Sequence, residues 1–132
     1  MFQVRQVLKK NYAIILPEDA ARTRIPGWDG TSVRVLAAPC MGANFIEYLI
    51  EVKRDDKVAV PVQDGSEYVF YVLNRDGSLE REGEEFKLEE GSYGYLPPKT
   101  AWKIRGASDE EAMKFLMVKK RYEPIGPTLP EF

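Results

Sequence analysis

The chain has 132 residues, 44% hydrophobic and 30% charged, enough for one buried core and too ordinary in composition for a disordered or fibrous class. Nineteen basic against 21 acidic residues leave a net charge of −2, which argues against nucleic-acid binding, since that needs clustered Lys and Arg on one face. The absence of histidine and the single cysteine, Cys40, exclude a His-dependent triad, a multi-histidine metal site, an intrachain disulfide and a thiolate cluster.

Along the chain, Val4 to Leu16 reads as an extended N-terminal segment that enters a sheet near Tyr12 and stops at Pro17. Asp19 to Thr31 holds Pro26-Gly27 and Asp29-Gly30 and is expected to be loop, with Trp28 covering one end of the core. Ser32 to Ala38 is a strand. Cys40 follows in Ala-Pro-Cys-Met-Gly and is expected to be a small packed residue. Phe45 to Val52 alternates cleanly, placing Ile46, Tyr48, Ile50 and Val52 on one face and Glu47 and Glu51 on the other. After a polar connection, Val58 to Val62 is extended and Asp64-Gly65 turns.

Glu67 to Leu73 is aromatic and β-branched throughout, the pattern of a strand buried on both faces. Asn74 to Gly77 closes a hairpin, and Ser78 to Leu88 suggests a second hairpin around Gly83 at an exposed edge. Tyr93 to Leu96 and Ala101 to Arg105 flank a Pro97-Pro98 corner. Residues 108–120 allow a helix, since Ser108 to Glu111 has capping-box form. The compact run Phe115 to Val118 favours a strand that fills a sheet edge. Pro124, Pro127 and Pro130 make residues 123–132 a proline-rich tail. Short strands between Gly, Pro and Asp turns predict an all-β, antiparallel jelly-roll barrel over residues 1–122. No run is long and apolar enough to span a bilayer. Met1 to Arg5 lacks a signal-peptide plan, so a cytoplasmic protein is expected.

Gly91 to Trp102, with five residues between Gly91 and Pro97 and Trp102 five positions beyond Pro97, resembles the second signature of the cupin barrels. Trp102 stands where that signature carries a histidine ligand. Aligned on Glu67, Pro61 and Gln63 stand where the first signature has its two histidines. Of the four usual metal ligands only Glu67 is present. Lys10 to Pro17, Pro26 to Trp28, Ala38 to Phe45, Tyr71 to Leu73 and Gly91 to Trp102 are further similar, in order and spacing, to the N-terminal half of the ureidoglycine aminohydrolases, bicupin enzymes of allantoin degradation. The likeness runs through Tyr122 to Pro124, which looks like the start of their interdomain linker. It implies a cupin without cofactor or metal, because in that family the manganese site belongs to the C-terminal cupin. It also implies assembly: a homodimer through barrel edges, or pairing with a separate metal-bearing cupin chain.

Alternation from Trp102 points Thr100, Trp102 and Ile104 inward and Lys103 and Arg105 outward. Gln63, Glu67, Tyr95 and Trp102 are the candidate pocket residues, and Glu67 the candidate proton-transfer group. Two uses are open at this point. Trp102 plugs the barrel, since barrel interiors are normally filled. Or Trp102 and Tyr95 wall a small pocket in which Gln63 and Glu67 fix a small polar, ureide-like ligand, bound or turned over.

Overall fold

The computed structural model describes residues 6–8, 13–16, 20–61 and 64–123. Twelve strands follow in order: β1 (Gln6–Leu8), β2 (Ala13–Ile15), β3 (Ala21–Thr23), β4 (Ser32–Ala37), β5 (Ile46–Val52), β6 (Val58–Val60), β7 (Ser66–Asn74), β8 (Gly77–Arg81), β9 (Glu84–Leu88), β10 (Tyr93–Leu96), β11 (Trp102–Gly106) and β12 (Met113–Arg121). Among the described residues a 3-10 turn, Pro39–Met41, interrupts them.

The strands form an all-β, antiparallel jelly roll. One sheet has six strands in the order β10-β7-β12-β5-β4-β3, and the facing sheet has four in the order β6-β11-β8-β9. Period-two alternation explains the sandwich. Tyr48, Ile50 and Val52 of β5, Tyr68, Phe70 and Val72 of β7, and Met113, Phe115 and Met117 of β12 turn inward and meet Leu79, Leu88, Trp102 and Ile104 from the smaller sheet. Residues 113–121 are strand, as the Phe115–Val118 run favoured over the helical alternative. Ser108 keeps a local capping role, its hydroxyl accepting from the amides of Glu110 and Glu111. Among the described residues no helix is long and apolar enough to cross a membrane.

Two glycines shape the passage from β9 of the smaller sheet into β10 of the larger one. Gly91 has φ 89°, a left-handed conformation that costs glycine little and other residues more. Gly94, inside β10, lies against the Phe70 ring, whose nearest carbon would be 2.6 Å from any Cβ placed there.

Four expectations differ from the structure. Residues 67–73 are not buried on both faces: Tyr68, Phe70 and Val72 are buried, whereas Val69 and Tyr71 are half exposed. The run is apolar throughout, so alternation could not reveal an outer face. The loop expected over 19–31 contains β3, a three-residue strand whose Ala-Arg-Thr has no apolar signature. The N-terminal strands pair with each other in a separate two-stranded sheet, and the predicted entry point, Tyr12, lies outside the described residues. Cys40 is exposed, not packed, because the 3-10 turn that carries it lies on the surface. Residues 124–132, most of the predicted tail, are outside the described residues.

Candidate functional site

The inward end of β11 sets the interior of the barrel. Trp102 is buried and pairs in register with Val60 on one side and Arg81 on the other. Its ring meets Tyr68 edge-on, with centroids 5.1 Å apart and planes at 76°, a favoured aromatic geometry. Tyr68 donates its hydroxyl to Asp64 Oδ2 at 2.8 Å. Burial, then that bond, pushes the Tyr68 phenol well above its ordinary range, so it stays neutral. Thr100 and Ile104 also turn inward, as alternation from Trp102 predicted, while Arg105 is exposed.

The predicted pocket set is divided between the two faces of the larger sheet. Glu67 and Tyr95 are together on its outer face, where Tyr95 donates its hydroxyl to Glu67 Oε2 at 3.0 Å. Desolvation and that carboxylate raise the Tyr95 phenol. Trp102 is on the inner side, beside Tyr68, the residue next to Glu67 in the chain. A side chain that follows a buried one along a strand points the other way, so Glu67 does not reach the indole. Gln63 lies outside the described residues.

Residues that sequence reasoning passed over complete the interior. Arg81, opposite Trp102, has its Nε buried with no hydrogen-bond partner, and Trp102 Nε1 is in the same condition. Between the edges of β9 and β10 opens a cleft of about 490 Å³, walled by Phe70, Leu79, Phe86, Leu88 and Leu96, with Arg81 and Tyr95 at its polar margin. Strand parity could have placed Arg81 inside: it is the inward position after Leu79.

The described residues of this interior do not make a metal-ligand set. An ion would need lone pairs from three or four ligands. The indole N–H only donates, a guanidinium is a cation, and the Tyr68 oxygen is committed to Asp64. Among the described residues no group of three or more Cys, Asp or Glu side chains could hold an ion.

No known protein-family model matches the chain. It is 30% identical over 116 residues to the (S)-ureidoglycine aminohydrolase of Escherichia coli, a match covering 87% of this chain and 44% of that enzyme. The fold superposes on the crystal structure of the E. coli protein Ylba with a TM-score of 0.82 at 27% identity, over 96% of this chain and 53% of the other. A Cupin 2 conserved barrel domain protein from Salinispora arenicola superposes with a TM-score of 0.58 at 17% identity, over 74% of this chain and 88% of that one, a likeness of fold alone. The chain thus spans about half the length of the relatives it matches over most of its own.

Proposed function

We propose that the chain, which has the cupin fold and resembles (S)-ureidoglycine aminohydrolase over about half of that enzyme's length, is a metal-free, non-catalytic barrel that serves ureide breakdown by associating with other barrels. The observation that carries this reading is the filling of the interior. Trp102 and Tyr68 occupy the inward positions at one end, the Tyr68 hydroxyl is bonded to Asp64, and the unpartnered buried polar atoms there are N–H donors. Glu67 has no proton-transfer part in it, because it sits across the sheet from the indole and is engaged by Tyr95. In this reading the hydrolytic metal chemistry belongs to a partner.

Protein purified from manganese-supplemented cells is expected to hold transition metal far below one ion per chain by elemental analysis, and to release no ammonia from ureidoglycine. A stoichiometric bound ion, or turnover by the chain alone, refutes the proposal.

One observation favours a second reading, a barrel that binds a small acceptor-bearing molecule. The unpartnered N–H groups of Trp102 and Arg81 are neighbours across a strand pair, and Arg81 borders the open cleft. Such donors are normally satisfied by an acceptor or an ordered water. A thermal-shift series with small carboxylates and ureides separates the two. A saturable rise in melting temperature lost in Trp102→Phe supports binding, by mass action on the folded state. A flat response leaves the assembly role.

A further inference from the structure

Outer faces of sandwich sheets ordinarily carry polar residues, because they meet water. The four-stranded sheet obeys. Its outward rows run Ala59, Lys103, Glu80, Glu85 and then Arg105, Ser78, Lys87. The six-stranded sheet does not. Its outward rows, in register across neighbouring strands, run Tyr95, Val69, Val118 and then Tyr93, Tyr71, Leu116, apolar across β10, β7 and β12, before reaching Glu47 and the buried Leu49 on β5. Tyr93 is 79% exposed, Tyr95 52%, and Val69 and Tyr71 48% each.

We infer that this face of β10, β7 and β12 is the docking surface for a second copy of the same chain. Three observations choose that occupant. The first is self-complementarity. A two-fold axis parallel to the strands and midway between β7 and β12 lays each β7 residue over its own register partner in the other copy. Tyr71 then meets Leu116, Val69 meets Val118, and Glu67 meets Lys120. Two apolar contacts and one opposite-charge contact form, each twice, as an isologous interface requires.

The second observation is charge balance. The apolar rows are flanked by Glu67 and Lys120 at one end and by the Lys114–Glu51 pair, 3.4 Å apart, at the other. A face with no net sign does not repel itself and offers nothing to attract a strongly charged partner. The third is area. Taking an aromatic side chain at roughly 200 Å², the four exposed residues offer on the order of 400 Å² of mostly apolar surface. That is about half of the ~800 Å² each partner gives to a standard interface, and the flanking charged rows supply a polar rim.

The pairing rests on the assembly role proposed above, and its test is separate from the metal and turnover tests of that role. Sedimentation velocity on the full chain over a dilution series is expected to show a reversible dimer. Tyr71→Lys should raise the dimer dissociation constant at least 100-fold, and Val69→Lys should do nearly the same. Glu80→Lys, on the charged face of the smaller sheet, should leave it unchanged. Circular dichroism of each variant checks folding. In a Cys40→Ser background, Val69→Cys chains mixed with Val118→Cys chains should be cross-linked by a short-spacer bismaleimide faster than either chain alone. A wild-type monomer at every concentration overturns the pairing while leaving the metal-free reading intact. A dimer indifferent to both Tyr71→Lys and Val69→Lys overturns it as well.

Discussion

Trp28 and Trp102 are buried in the same core and each meets a tyrosine edge-on, yet only Trp28 places its indole N–H on an acceptor. Trp28 comes from the loop before β4. It packs on Tyr48 at 5.4 Å and 74° and donates to the Ala59 carbonyl at 3.1 Å. Trp102 comes from the middle of the smaller sheet, packs on Tyr68 at 5.1 Å and 76°, and its Nε1 has no partner. A loop residue can move until its donor finds a carbonyl. A strand residue cannot, because the ladder fixes where its side chain projects, and the register neighbours there, Val60 and Arg81, offer no acceptor. The indole at 102 is therefore held by packing alone, against a donor whose burial costs about 1–3 kcal/mol.

The largest effect that tests this contrast is truncation. Trp28→Ala and Trp102→Ala should each destabilise the chain by about 3–5 kcal/mol, the usual result of removing a packed aromatic and leaving a cavity, read from urea denaturation midpoints. Near-equal losses mean that both rings fill the core. If Trp102→Ala costs under about 2 kcal/mol, the ring is loosely seated and the interior is closer to a pocket than to a plug.

Both indoles were legible in the sequence, for different reasons. Trp102 follows a turn and a proline corner, and alternation with Thr100 and Ile104 against Lys103 and Arg105 contrasts polar with apolar, so its inward direction could be read directly. Trp28 was legible as a large aromatic between two glycine turns. Glu67 was not legible. Its strand reads Tyr-Val-Phe-Tyr-Val-Leu, and with no polar residue in the run the period of two has no phase. Only the ladder shows that Glu67, Val69 and Tyr71 share the outward face. The same lack of phase hid the apolar stripe. The jelly roll itself needed only turns and short strands, which is why the architecture was readable while one half of the candidate site was assigned to the wrong side of a sheet.

The tyrosines beneath the two indoles extend the contrast to pH. Burial raises the phenols of both Tyr48 and Tyr68, and Tyr68 is raised further by its bond to Asp64. In the unfolded chain each ionises near its ordinary value of about 10. Above that pH the unfolded chain has lost a proton that the folded chain keeps, so stability falls as pH rises. The slope is about 1.4 kcal/mol per pH unit for each phenol until its folded value is reached, and below pH 10 the term is absent. Tyr68→Phe should cost about 1–2 kcal/mol at neutral pH through the lost hydrogen bond, yet remove one phenol's share of the alkaline slope. Denaturation midpoints at pH 8 through 11 measure both. An unchanged alkaline slope in Tyr68→Phe would mean that this phenol ionises without unfolding, and that the end of the barrel beside Trp102 is open to water.

The smallest effect is the most discriminating. Phenylalanine keeps most of the aromatic surface and removes the N–H. At position 28 that loses a hydrogen bond and leaves the Ala59 carbonyl without its indole donor. At position 102 it removes a buried donor that had no acceptor. Both substitutions shrink the ring and pay a similar packing penalty, so that term cancels between them. Trp28→Phe should therefore be worse than Trp102→Phe by about 1–3 kcal/mol. If the two cost the same, the Trp102 N–H is satisfied in solution, by water or by a small molecule at the mouth beside Arg81. The ligand-binding reading then gains at the expense of the plug, and the saturable thermal shift sought with carboxylates should vanish in that same variant.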